Sequence, residues 1–145
     1  MEIGLLHLHS ILRWIILLFL LITLFQAIAK KPGIRSSSLV LLICAHLMLI
    51  IGIYQLINGR YGILKGLPAG VDLMKNSFYR FFWIEHPIVM FLAIVFITLA
   101  RGKAKVLNYR ATGWLLLVAL MLILAAVPWP FRGIVGDGRS WFPGL

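Results

Sequence analysis

Apolar residues in this chain gather into four long runs, and most of the charged residues fall between them. A membrane-spanning helix needs about 20 predominantly apolar residues. The runs at 3–29, 38–57, 78–100 and 112–127 predict four such helices, the last one short unless it gains a turn at either end. In hydrocarbon the backbone amides must be satisfied internally, which selects helices. The period-two alternation of a membrane strand is absent. Short connections between neighbours predict an all-α, integral membrane, antiparallel four-helix bundle forming a single domain over 1–145. The tail 128–145, PWPFRGIVGDGRSWFPGL, lies outside the membrane, with Trp129 and Trp141 near headgroup level.

Composition agrees with the pattern. Of 145 residues, 62% are hydrophobic and only 12% charged, and the mean hydropathy is +1.02. A soluble domain runs at about half apolar and a quarter charged. A net charge of +10 would suggest nucleic acid in a soluble protein. Here topology and lipid headgroups explain it better, and no nucleic-acid partner is expected. Lys30, Lys31 and Arg35 occupy one short loop, and Arg101, Lys103, Lys105 and Arg110 another, with no acid in either. The positive-inside rule puts both loops in the cytoplasm of a bacterial inner membrane and both termini outside. The other face carries Arg60, Lys65, Lys75, Arg80, Arg132 and Arg139, spread over a longer loop and the tail. Arg13 followed by WIILLFLLITLFQAIA looks like a signal peptide; His7 and His9 precede it in apolar surroundings, and the stretch reads as a retained helix. The single cysteine, Cys44, excludes an intrachain disulfide and reads as a small buried hydrophobe.

All four histidines, His7, His9, His46 and His86, fall within or at the edge of predicted spans. Polar groups inside a membrane are expensive and point to function. His7 and His9 are about 200° apart around a helix, so only one faces the core squarely. Arg13, four residues after His9, shares its face, and a charge turned toward lipid is unfavourable. This selects His9 as the inward residue. At 1.5 Å per residue, His9 lies roughly 9 Å from the outer end of its helix, His86 roughly 12 Å and His46 roughly 16 Å. In an up-down bundle the first and third helices are diagonal, so His9 and His86 face one another, as two axial nitrogens of a haem iron would. His46, from the second helix, is able to replace either.

The third helix adds RFFWIEHPIVM. Pro87 removes an amide and frees the Trp83 carbonyl one turn back. Glu85, about 100° around from His86, pairs with Arg13, accepts from a histidine N–H, or ligates a metal. Phe81, Phe82 and Trp83 could flank a macrocycle, while Tyr79 and Trp83 fall close to the face of His86. The fourth helix has no ionisable group after Thr112 and reads as a packing wall.

LHLHSILRW, CAHLMLIIG, EHPIVMFLAIVFITLARGKAK and the tail resemble a family of small bacterial four-helix membrane proteins usually labelled cytochrome b. The resemblance covers nearly the whole chain. In outline the chain is also similar to larger haem-binding four-helix cytochromes b, whose histidine ligands come from different helices. Those often place ligands on the fourth helix, which has none here, and two haems would need all four histidines although His7 and His9 cannot serve one side equally; this departure leaves one haem b as the expectation.

Hydrolytic and nucleotide motifs are absent: there is no phosphate-binding glycine loop, HExxH or CxxC. Three expectations follow. The first is a b-type cytochrome-like electron carrier rather than a stand-alone enzyme, with one haem on histidines from different helices. Arg80, Arg132 and Arg139 would pair with the propionates, and Arg13 with Glu85 or a quinone-like ligand. The second is a non-haem zinc, copper or iron site built from His9, His46, His86 and Glu85. The third is an accessory structural subunit of a membrane complex. Expected partners are membrane lipid, a redox partner or quinone, and a second copy or a respiratory complex.

Overall fold

The computed structural model describes residues 2–136 and 141. It contains four helices long and apolar enough to cross a membrane. These are α1 (Glu2–Ile28), α2 (Ile34–Asn58), α3 (Ser77–Lys105) and α4 (Tyr109–Ala126). The helices outrun their apolar cores: α2 begins four residues before the run at 38–57, α3 continues five past residue 100, and α4 starts three before residue 112. Arg, Lys and Ala are good helix formers, so a helix continues into water until something stops it.

Those stops are visible. After α1, Lys30 takes a left-handed φ of 52°, and the Lys31 amide reaches back to the Gln26 carbonyl at 2.9 Å. After α3, Leu107 takes a φ of 56°, and the Asn108 amide bonds the Lys103 carbonyl at 3.0 Å. Both are Schellman closures built without glycine. The Asn108 side chain then accepts from the Ala111 amide and starts α4. Asn76 starts α3 in the same way, accepting from Phe78 and Tyr79.

Each helix packs on its two neighbours in the ring α1–α2–α3–α4, which leaves α1 and α3 diagonal. Leu20, Leu41, Ile97 and Leu116 fill the centre, with Ala45, Ala93, Ala100 and Ala119 between them. Small residues let apolar helices approach closely where lipid offers no hydrophobic contrast. The buried hydroxyls of Thr23 and Thr112 donate to carbonyls one turn back, Phe19 at 2.6 Å and Asn108 at 2.8 Å. Large apolar side chains such as Phe25, Ile28, Ile50 and Trp114 stand exposed around the outside. That surface suits hydrocarbon, not water.

The connection from α2 to α3 and residues 128–136 close over one end of the bundle. The Trp83 indole donates to the Tyr61 carbonyl at 2.6 Å, and Tyr61 packs edge-on against Phe78. Asp72 is held in the loop, accepting from the Met74 and Lys75 amides. Beyond α4, Arg132 donates to the Ala125 and Val127 carbonyls, and the Trp129 indole to Leu124.

Candidate functional site

The closed-over end brings ionisable and amide side chains from different helices together. α1 supplies His9 and Arg13, α2 supplies Gly52 and Gln55, α3 supplies His86, and α4 supplies the Ala126 carbonyl. The rings of His9 and His86 meet across the diagonal, with centroids 6.5 Å apart and planes at 53°. His9 packs beside Gly52 of α2: a Cβ on Gly52 would stand 3.6 Å from His9 Cε1, an ordinary contact distance.

His86 sits just after a π-helical turn, Phe81–Glu85, where its own amide reaches back five residues to the Phe81 carbonyl. Pro87 cannot donate to Trp83, which favours that wider turn. The extra residue rotates what precedes His86. Phe81 and Phe82 therefore flank its ring, at 5.8 and 6.4 Å between centroids. Helical spacing alone pointed to Tyr79 and Trp83; instead they stack edge-on with each other, and the Trp83 indole serves the loop. Nδ1 of His86 lies 2.8 Å from the Ala126 carbonyl. A carbonyl only accepts, so Nδ1 carries the proton and a neutral ring keeps its lone pair on Nε2. The fourth helix is thus more than a wall: its last turn orients a histidine.

His9 Nδ1, Arg13 Nε and Gln55 Nε2 are buried and have no hydrogen-bond partner among the described residues. Gln55 lies one turn beyond Gly52 on the face of α2 that meets α1. Unpartnered polar atoms in a low-dielectric interior are costly; three gather at this end, and a fourth, Arg101 Nε, lies at the other. Arg13 spreads its guanidinium over Trp14 and Trp129, 5.3 and 5.9 Å from the ring centroids, and donates through Nη2 to the Trp141 carbonyl at 3.1 Å.

The remaining candidates are arranged differently from the sequence expectation. His46 is exposed on the outside of α2, and its Nδ1 donates to Leu42 of its own helix at 2.9 Å. It does not join the other two, because its position on α2 points away from the core face that carries Gly52. His7 is half-buried on the flank of α1. Glu85 pairs with Arg80 at 2.8 Å instead of Arg13, since the π turn carries it to the outer side of α3. Arg80 also donates to the Met74 carbonyl, and Arg132 caps α4 with its guanidinium over Phe81. Both guanidiniums therefore already serve protein acceptors. Arg139 lies outside the described residues. Among the described residues no three of His, Cys, Asp or Glu come together in a way that could hold a metal ion, so the set His9, His46, His86 and Glu85 is not assembled.

A groove of about 650 Å³ opens beside this end, walled by Trp129, Phe131, Trp141 and Arg132 over Leu124 and Ala125. Neither histidine lines it. Gln55 is not among the candidates that the sequence suggests, although a lone amide three residues from a glycine in an apolar run is a readable signal. Comparison with protein-family models, curated proteins and solved structures gives no match to this chain, and the geometry carries the functional reading alone.

Proposed function

We propose that this chain is a b-type cytochrome-like membrane protein for electron transfer, holding one haem between His9 and His86. The observation that carries the reading is the meeting of those two rings across the bundle diagonal. Two imidazoles with centroids 6.5 Å apart are near enough that both would reach one haem iron held between them. Donor count supports haem over a bare ion. A protein-held zinc ion takes three or four side-chain ligands, whereas haem iron needs only axial ones.

A bound haem would supply one-electron chemistry, its potential tuned by ligands, burial and hydrogen bonds. The chain's own part is orientation. The Ala126 carbonyl fixes the tautomer and ring plane of His86 and raises its basicity as a ligand. Phe81 and Phe82 shield that ring, and Arg13, with its partnerless Nε, is the cation best placed to meet an anionic edge of the macrocycle. Because the histidines do not line the groove beside Trp129, side chains around Gly52 and Phe82 must yield to admit a planar ring. By the positive-inside rule this end faces outward from a bacterial inner membrane.

The test is the absorption spectrum of protein purified from cells supplied with haem. A Soret band that sharpens and shifts on dithionite reduction is expected. A colourless preparation with stoichiometric zinc, copper or non-haem iron would replace haem by a metal site. A preparation without either would leave the histidines as structural contacts in an accessory subunit.

A further inference from the structure

The opposite end of the bundle is chemically uniform. Lys30, Lys31, Arg35, Arg101, Lys103, Lys105 and Arg110 gather there without one acid. The four acids, Glu2, Asp72, Glu85 and Asp137, belong to the N-terminus, the long loop, the π turn and the tail. The ion pairs among the described residues, Lys75–Asp72 and Arg80–Glu85, lie at the histidine end.

Between α1 and α4 at the basic end runs a groove of about 280 Å³. Leu24 and Ile28 form one wall and Gly113 and Leu117 the other, with Arg110 and Trp114 at the rim. Gly113 keeps it open by having no side chain. Beneath it the two helices run close together, since a Cβ on Gly113 would stand in ordinary contact with the Ala27 methyl at 3.6 Å. The groove faces the lipid side: Ile28 is 74% and Trp114 63% exposed. Its apolar length thus lies in the hydrocarbon and its charged rim at headgroup level, where tryptophan also prefers to sit.

We propose that this groove holds one anionic phospholipid, its acyl chain between α1 and α4 and its phosphate against Arg110. Charge complementarity selects the occupant. A zwitterionic headgroup gains little from seven cations with no counter-charge, whereas an anionic one is drawn by all of them, and basic pockets between spanning helices suit such headgroups. Arg110 is exposed and forms no ion pair among the described residues, so its guanidinium is available for bidentate contact with phosphate. The site is independent of the histidine pair and stands whether or not haem binds.

Native mass spectrometry of the full chain in detergent tests this, with phosphatidylglycerol and phosphatidylcholine of identical acyl chains added in equal amounts. One phosphatidylglycerol per protein should be retained in preference. Arg110→Gln should reduce retention about five-fold, the worth of one cation at a lipid surface. Arg110→Lys should keep most of it, and Arg60→Gln at the other end should change nothing. Gly113→Leu should abolish retention by filling the groove; should that variant fail to fold, Trp114→Ala, on an exposed side chain, should still weaken it. Equal retention of both lipids, or retention unchanged by Arg110→Gln, overturns the proposal. Occupation of the groove by a second copy of the chain, seen as a dimer that Gly113→Leu breaks, also overturns it.

Discussion

His86 Nδ1 is hydrogen-bonded at 2.8 Å to the Ala126 carbonyl, forty residues away in sequence and in the last turn of α4. That carbonyl has no amide of its own helix to meet, because the helix ends there. One contact therefore satisfies an orphan acceptor and sets the tautomer of a histidine whose ring meets His9 across the bundle. The link joins the end of the fourth helix to the centre of the site and makes the two histidines unequal: His86 is anchored, whereas His9 Nδ1 is not.

The two facing histidines should differ in phenotype from the two that lie outside the pair. His9→Ala and His86→Ala should each lower haem retention at least tenfold, since even supporting groups around a metal ligand are worth about 10–100-fold. His46→Ala should be close to wild type, because its ring is exposed and bonded within its own helix. His7→Ala should be mild. Soret absorbance per protein after reconstitution is the measurement. A severe His46→Ala defect with normal His9→Ala would move the ligand pair to α2 and α3.

Gly52 offers a graded probe of the space beside His9. A single methyl would stand at an ordinary contact distance of 3.6 Å from the ring, so Gly52→Ala should keep the spectrum. Gly52→Leu should force the imidazole aside, since overpacking a filled interior costs about 1–3 kcal/mol. The reduced-minus-oxidised spectrum distinguishes the two. A normal Gly52→Leu spectrum would show that His9 is not held from this side.

The Arg80–Glu85 pair is surface-exposed, and such pairs are worth about 0–1 kcal/mol. Glu85→Gln should therefore lower the melting temperature in detergent only slightly and leave metal and haem content unchanged. Loss of a bound metal in Glu85→Gln would return this carboxylate to the ligand set.

Topology is testable by reporter fusion. A periplasm-dependent enzyme fused after Leu145 should be active, and one inserted at Gly33, between Lys31 and Arg35, should be silent. The reverse pattern would place the histidine end in the cytoplasm.

The four helices were readable from the apolar runs alone, because a membrane leaves the backbone no alternative and the runs are long. The ring order was readable too, since short loops allow only neighbours to be antiparallel, and it puts α1 and α3 on the diagonal. Helix ends were not: nothing in the runs announces that Lys30 and Leu107 close their helices with positive φ, a state decided by the Schellman bonds that reward it.

Within the site, sequence determined which residues were too polar for their surroundings and which of the paired histidines in LHLHSILRW shares a face with Arg13. The tertiary structure alone decided the rest. A π turn is one residue wider than an α turn, and that single residue moved Phe81 and Phe82 against His86 and sent Glu85 to Arg80. Depth along a helix is a one-dimensional quantity and follows from counting, so His46 read as a peer of His9 and His86. Which way its ring turns depends on how α2 is rolled against α1 and α3. That roll is set by small contacts such as Gly52 against His9, which no apolar pattern encodes.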